Sequence, residues 1–502
     1  MPLWSKCGSV LHTARAAGPN GYPAEALRWS VPPPGIDADA HRLRVCTIIS
    51  FLLNKLWGGD VPSVEFAENI ITSLYKGQGD VNDPSNSRGI GIIAVLPKLL
   101  KVILTTRLSH WAAVHDIVSP SQIGFMPDRS AEHHVFALHE LVTARLRQNE
   151  PTWLLFLDLS KAYDCVHPLA MAWLLRRMGV PERLVQLLER LQAARTFRVR
   201  VNGVLSPRAA MYMGLTQGDP LACLLWLFFI EPLMRYVISL NTHGAQSFGE
   251  SLKQLLYADD AVSTEAARAS LETILGGCHR WAVAFGMTIN SNAGKTNAML
   301  ATRRAQLFPL PPPLRSLGAT AAAGLGLAAT PPDLLIAFTQ QYKYLGLQTP
   351  TTFGTIAEPI RPRLMAAFRA AFSLGSIVHY ASPMAQLQLF RTSVIGSASY
   401  LTALAQLPRA ELDKANAYVI NCVRQILRLP RTADAAPATR PALAHVAHTA
   451  PLASPEHARL GRATRARSGA AVAGSQPWQL AHRHQRCSRP NAARPRSARA
   501  GG

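Results

Sequence analysis

Apolar positions recur with helical spacing over residues 40–57, where Leu43, Cys46, Ile49, Leu52, Leu53 and Leu56 share one face and Gly58-Gly59 ends the run. "NIITSLYKGQGD" predicts a strand running into a glycine-rich turn. "VLPKLLKVILTTRLSHWAAVH" returns to helical spacing, with Lys98, Lys101 and Arg107 beside an apolar stripe. "PTWLLFLDLS" is an apolar run too short for a helix, which predicts a buried strand. The stretch "PLAMAWLLRRMGVPERLVQLLERLQA" predicts two helices broken at Gly179-Val180-Pro181. "TFRVRVNGVLS" alternates, and its Asn202-Gly203 pair marks a hairpin. A second hairpin is predicted in "QSFGESLKQLLYADDAVST", followed by a helix through Ala282.

Elsewhere the pattern weakens. Residues 13–35 read as loop with one short helical piece, and the Pro, Ala and Gly-rich residues 303–333 as an unstructured insertion or linker. Helical patterning returns across 361–429. From Arg431 onward the chain has twelve Arg against two acids, Asp434 and Glu456, and few large apolar residues, so the tail is expected to be disordered.

Composition changes this picture in three respects. The chain of 502 residues is 48% hydrophobic, enough for a sizeable core. Its net charge of +22 points to a polyanionic partner, because Lys and Arg that neutralise phosphates release condensed counterions. The tail alone contributes +10 of that surplus, where compositional bias is an equally good explanation. The seven cysteines show no CxxC pair and no zinc-type spacing, which predicts reduced intracellular thiols and neither disulfide framework nor structural metal site. The longest apolar run, Leu221 to Ile230, is ten residues, against the roughly 20 that span a bilayer. A soluble protein with no membrane partner is expected.

The candidate chemistry lies in acids set among apolar neighbours. Asp259 and Asp260 interrupt "QLLYADDAVST", and Asp158 ends the apolar run "WLLFLD" 101 residues upstream. Burying such carboxylates is costly without compensation. Three on strand ends of one sheet make a hard-oxygen cluster suited to Mg²⁺. Two such ions ~4 Å apart can clamp the attacking and leaving oxygens of a phosphoryl displacement. Taken alone, "YADD" reads equally well as an exposed hairpin turn, where Asp is common.

Eight segments in order decide between these. "AAGPNGYPAEAL" is similar to the "APGPDGIPAEFL" segment of non-LTR (LINE-type) retrotransposon reverse transcriptases. "IITSLYKGQGDVNDPSNSRGIGIIAVLPKLLKVILTTRL" resembles that family's fingers segment, and "SQIGFMPDRSAEHHVFAL" resembles "QFGFRPGRSTTDAI". "FLDLSKAYDCVHP", "MGLTQGDPLACLLW" and "YADD" resemble the first catalytic motif, the "GLPQGSPLSPLLF" motif and the second catalytic motif. "GMTINSNAGKTNAML" and "YKYLGL" match "GLKLNPSKTEVM" and "FKYLGV". The likeness runs from about Ala16 to Gly346.

The resemblance implies an α+β right-hand polymerase, whose antiparallel palm sheet carries the catalytic carboxylates, with a disordered basic C-terminal tail. It divides the chain into a leader (1–13), fingers and palm (14–300), a Pro/Ala-rich linker (301–335), the end of the palm with a helical thumb (336–430), and the tail (431–502). It implies an RNA-directed DNA polymerase that adds dNTPs to a DNA primer on an RNA template, acting in the nucleus. Asp158 and Asp259 would hold two Mg²⁺ ions, for which Mn²⁺ can substitute, with Asp260 as a secondary ligand. Tyr163 would lie under the sugar and exclude a 2′-OH, though it also reads as core packing. Gln217 and Gly218 would contact the incoming nucleotide. Lys295 would approach the triphosphate and serve as general acid for pyrophosphate, or else be a solvated surface charge. Arg88, Lys98 and Arg129 are candidate phosphate and template contacts.

The chain departs from the pattern in places. "RGIG" stands for "RPIS", Met126 replaces an Arg, and Asp219 stands where Ser is commoner, which brings another acid toward the site. Family members usually carry an endonuclease and often a Cys/His zinc knuckle, so the chain reads as the polymerase portion of an element. A decayed copy that only binds nucleic acid, and a group II intron maturase-type enzyme, are the alternatives.

Overall fold

The computed structural model describes Pro19 and residues 37–77, 79–247, 249–303, 309–353, 382–396, 400 and 409–426. The expectations for the leader, for most of residues 13–35 and for the tail lie outside these residues. The chain divides into two units, residues 1–247 with 251–354, and residues 248–250 with 355–502.

In the first unit, α1 (Ala38–Gly58) starts at Asp37, whose carboxylate accepts from the Ala40 N–H, and ends at Gly59 with φ +125°. After the short α2 (Val64–Ala67) come β1 (Glu68–Tyr75), β2 (Ser87–Ile93) and α3 (Val95–Val114). Next are α4 (Ala131–Arg147), β3 (Thr152–Leu157), α5 (Pro168–Arg177) and α6 (Glu182–Ala193). The break between α5 and α6 falls where Gly179 takes φ +83°, a conformation open to glycine at little cost. β4 (Thr196–Val201) turns into β5 (Val204–Leu205) through Asn202 and Gly203, both with positive φ, as the Asn-Gly signal predicts. β6 (Ala209–Ala210) leads to α7 (Pro220–Ser239).

Beyond α7 lie β7 (Ala245–Ser247), β8 (Glu250–Leu252), β9 (Gln254–Tyr257), β10 (Asp260–Glu265), α8 (Arg268–Ala284) and β11 (Asn297–Ala301). One sheet has the order β2-β1-β4-β5, with β1 parallel to β4 and β6 also on β4. The other is four-stranded and antiparallel, in the order β11-β3-β10-β9. β3 is central there and almost wholly buried, which explains why its sequence lacks alternation.

α7 is long and apolar enough to cross a membrane by length and composition, but 72% of its apolar window is buried inside the protein. Trp226, Phe228, Phe229, Ile230, Leu233 and Met234 have no exposure, so it is the central core helix. Its buried Glu231 accepts from the Ser119 N–H at 3.0 Å and from Arg235 at 2.9 Å.

The expected unstructured linker is corrected for residues 309–333. β12 (Leu314–Ser316), α9 (Gly318–Ala322) and β13 (Leu334–Ile336) fold there, with β12 antiparallel to β13. Arg268 of α8 donates to the Pro312 and Pro313 carbonyls at 2.8 and 3.0 Å, and Arg280 to the Ala323 carbonyl at 2.7 Å. His279 and Ser316 share a 2.9 Å hydrogen bond, and Leu314 and Ile336 are fully buried. A Pro/Ala-rich segment has no periodicity of its own. Its order comes from side chains on α8. β14 (Gln341–Tyr344) and β15 (Leu347–Pro350) close the unit as a hairpin.

The second unit contains α10 (Pro383–Leu389), a π-helical turn (Phe390–Ile395) and α11 (Arg409–Ile426), within the span expected to be helical.

Candidate active site

The antiparallel sheet brings the three aspartates to one end. Asp158 follows the last residue of β3, Asp260 opens β10, and Asp259 lies in the two-residue turn from β9. Because Ala261 pairs with Leu157, the same register sets Asp260 beside Asp158. The loop before β11 wraps Asp158. The Asn290 amide donates to its Oδ2 at 2.9 Å, Lys295 Nζ lies 3.7 Å from its Oδ1, and the Asn290 N–H donates to its carbonyl at 2.9 Å. Its backbone N–H donates to Thr296 Oγ1 at 3.1 Å.

These acids repel one another. Burial, then the charge of Asp158, raises the Asp259 carboxyl above its ordinary value, while its own backbone N–H, Arg88 and Lys295 pull it back. Asp260 is pushed up to about 6, first by burial and then by Asp259 and Asp158. Its accessible surface nevertheless leaves Asp260 exposed, so solvent screens part of that repulsion. Of the nearby cations, Lys295 acts on both Asp259 and Asp260, and Arg88 on Asp259.

Among the described residues no group of three or more His, Cys, Asp or Glu side chains forms a self-sufficient metal cage. Mg²⁺ seldom needs one. It takes one or two carboxylates and completes its shell with water and substrate phosphate oxygens. The donor set at Asp158 and Asp259, hard oxygens under mutual repulsion, fits such an ion.

Tyr163 stands beside this cluster. Its ring stacks on Trp226 with centroids 5.4 Å apart and planes 21° apart, and its hydroxyl hydrogen-bonds the Cys223 thiol. Burial holds the hydroxyl well above the usual tyrosine range, and the nearby Cys223 and Asp259 add to the effect. The Tyr163 carbonyl accepts from the Leu215 N–H at 2.7 Å, which fixes the start of the Thr216–Asp219 turn.

Farther along that turn, the Gln217 carbonyl accepts from the Gly91 N–H of β2 at 2.7 Å. Gly218 takes φ +98°, and a Cβ there would lie 2.8 Å from the Gly91 carbonyl oxygen. The same β2 carries exposed Arg88, whose charge acts on Asp259. The structure therefore gathers Asp158, Asp259, Asp260, Tyr163, Gln217, Gly218, Lys295 and Arg88 into one region.

One expectation changes, and two candidate contacts lie on other elements. Asp219 does not add to the acidic cluster: its carboxylate caps α7 through the Leu221 N–H at 2.9 Å and pairs with Lys101 at 2.6 Å. Lys98 is half-buried on the first turn of α3. Arg129 is exposed in the loop before α4, and its charge falls on His134.

Other residues at this end of the sheet had no role in the sequence reading. Asn290 grips Asp158, Gln122 grips the turn that carries Asp259, and Tyr342 stacks on Phe156 at 4.2 Å. The Tyr342 hydroxyl is raised by burial and by the charges of Asp158 and Asp260. All three fall within segments that carry the family likeness, and that was the available signal.

Residues 76–349, more than half of the chain, match the family described as "Reverse transcriptase (RNA-dependent DNA polymerase)". The chain is 26% identical over 283 residues to the "Retrovirus-related Pol polyprotein from type-1 retrotransposable element R2" of Popillia japonica, across 56% of this chain and 39% of that protein. It is 23% identical over 430 residues to the "Retrovirus-related Pol polyprotein from type-2 retrotransposable element R2DM" of Drosophila melanogaster, across 84% of this chain and 36% of that protein. The chain thus spans less than two-fifths of the length of these curated relatives. Among solved structures it is similar to apo telomerase from Candida tropicalis, with a TM-score of 0.41 and 8% identity over 76% of this chain and 66% of that one.

Proposed function

The chain belongs to the reverse transcriptase (RNA-dependent DNA polymerase) family, and from that premise we propose that it is the polymerase portion of a non-LTR retrotransposon protein, extending a DNA primer on an RNA template with dNTPs. The observation that carries this reading is the meeting of Asp158 and Asp259 at the end of one antiparallel sheet, where burial and then the charge of Asp158 raise the Asp259 carboxyl. On this reading the β11-β3-β10-β9 sheet is the palm, the sheet bearing Arg88 belongs to the fingers, and the helices after residue 382 belong to the thumb. The protein would act in the nucleus.

Asp158 and Asp259 would hold divalent cations, Mg²⁺ or in its place Mn²⁺, with Asp260 as a secondary ligand. When bound, these ions would activate the primer 3′-hydroxyl and offset charge on the phosphates. The remaining roles belong to this chain's own side chains. Asn290 keeps the Asp158 carboxylate from rotating. Lys295, exposed and 3.7 Å from Asp158, is placed to meet a triphosphate and give a proton to departing pyrophosphate. Arg88 brings a second positive charge from β2 toward the same phosphates. The Tyr163 ring, fixed against Trp226, presents a rigid edge to a 2′-hydroxyl. Gly218 leaves space where a nucleotide must approach the backbone.

Primer extension by the purified chain tests the reading, with an RNA template, dNTPs and Mg²⁺ or Mn²⁺. Asp259→Asn is expected to abolish extension and Asp260→Asn to leave a measurable rate. Hybrid binding without any extension by the unaltered protein would sink the polymerase reading. Full activity in Asp259→Asn would overturn the site assignment alone.

A further inference from the structure

The turn that carries Asp259 is held in a conformation its sequence does not favour. Tyr257 pairs with Asp260, so Ala258 and Asp259 form a two-residue hairpin connection. Ala258 sits in its first central position with φ +60°. Glycine usually fills such a position, because a Cβ in the left-handed region meets the following carbonyl. Ala258 is also buried, at 5% exposure, so its backbone groups have little access to water.

One side chain satisfies both of those groups. The buried Gln122 accepts the Ala258 N–H on its Oε1 at 2.9 Å and donates from its Nε2 to the Ala258 carbonyl at 3.1 Å. The same Oε1 accepts the Gly124 N–H at 2.9 Å. Two N–H groups on one atom and a carbonyl on the other leave a single sensible orientation for the amide.

The segment that carries Gln122 is anchored at both ends. The Ile123 N–H donates to the Leu256 carbonyl at 3.0 Å, and the Leu256 N–H donates to the Ser121 carbonyl at 2.9 Å, so residues 121–123 run along β9. Upstream, Glu231 accepts the Ser119 N–H and Arg235 donates to the Ile117 carbonyl at 2.9 Å. Gly124 completes the fit, because a Cβ there would lie 2.2 Å from the Ala258 nitrogen.

We infer that Gln122 is a positioning residue for polymerisation, which clamps both backbone polar groups of Ala258 and thereby sets the direction of the Asp259 carboxylate. The inference rests on the proposed role of Asp259, but the clamp itself has a signature independent of activity. Removing the amide frees the Ala258 N–H and lets the turn relax from its left-handed conformation. Glycine at 258 tolerates that conformation without the amide, so the need for Gln122 shrinks when Ala258 is replaced by glycine.

The experiment compares the full chain with Gln122→Leu, Ala258→Gly and the double variant. It reads steady-state primer extension, thermal unfolding, and hydrogen exchange over residues 254–262 in protein free of metal, primer and nucleotide. Gln122→Leu is expected to lower kcat about ten-fold or more, with the dNTP KM within about two-fold, as loss of an interaction made only in the transition state does. Exchange across the turn should accelerate while that in β3 stays unchanged. Measured against Ala258→Gly alone, adding Gln122→Leu should cost less than about three-fold, and this coupling marks the clamp.

A purely structural role would instead lower the unfolding temperature with kcat per folded molecule unchanged and no coupling to position 258, and that result overturns the inference. Should Gln122→Leu not fold, Gln122→Glu carries the test, since it keeps the acceptor for both N–H groups and loses the donor to the Ala258 carbonyl. Unchanged kcat and unchanged exchange in Gln122→Glu also overturn it. If the unaltered chain extends no primer while exchange still responds to Gln122, the polymerase reading falls and the clamp stands.

Discussion

Asn290 donates a 2.9 Å hydrogen bond to one oxygen of Asp158, while Lys295 lies 3.7 Å from the other. The carboxylate is thus oriented from both sides by a loop more than 130 residues away in the chain. A hydrogen bond to a charged group contributes about 1.5–3 kcal/mol. Asn290→Ala should therefore slow primer extension about ten- to hundred-fold, with affinity for an RNA–DNA hybrid unchanged. An unaltered rate would show that Lys295 and the backbone suffice.

The stack of Tyr163 on Trp226 bears on sugar choice. Tyr163→Ala should admit rNTPs, raising their kcat/KM relative to dNTPs by about ten-fold or more. Single-nucleotide insertion of matched dNTP and rNTP measures the ratio. A ratio that stays put assigns Tyr163 to the core alone.

Lys101 and Asp219 form an ion pair in which each side chain keeps 12% of its exposure. Removing one partner leaves the other nearly buried and uncompensated, a loss of about 3 kcal/mol, although nearby Arg195 limits the cost of losing Lys101. Lys101→Met should lower stability by about 2–3 kcal/mol in denaturant unfolding. Combining it with Asp219→Ser, which keeps a capping hydroxyl for α7, should restore at least half of that loss. An additive double variant would mean that the pair is not the source.

Burial holds the His134 imidazole down at about 3, against 6.5 for a free side chain, with His133 and Arg129 adding to the effect. Below pH 6.5 the unfolded chain takes up a proton that the folded chain refuses, so stability falls as pH drops from about 6.5 toward 3. The slope from this group is at most about 1.4 kcal/mol per pH unit. His134→Gln should flatten the acid limb of stability against pH by up to that amount. An identical slope in the variant would assign the acid sensitivity elsewhere.

What could be read from the chain alone was whatever depends on near neighbours. The apolar run of β3, the Asn202-Gly203 hairpin and the break at Gly179 follow from local pattern, and the structure places them there. The placement of Asp158 and Asp259 was legible because acids at the ends of apolar strands are unusual. Gln122 was not, since its role depends on an amide reaching a carbonyl 136 positions onward. The fold of residues 309–336 was hidden for a similar reason, because its partners are Arg268, His279 and Arg280 of α8. Arg88 and Lys98 looked equivalent in sequence, and strand against helix separates them. Asp219 shows the limit of reasoning from charge alone, because its sign was plain and its partner was not.

The contacts that shape the acidic end of the sheet join residues 132 to 138 positions apart, as in Asn290–Asp158, Gln122–Ala258 and Asp158–Thr296. Contacts of that span carry a loop-closure cost before they return any stability. A chain growing from the ribosome has neither the grip on Asp158 nor the last strand of its sheet until residue 301 has emerged. On the proposed function, the acidic end of the sheet is complete only once that strand has paired with β3.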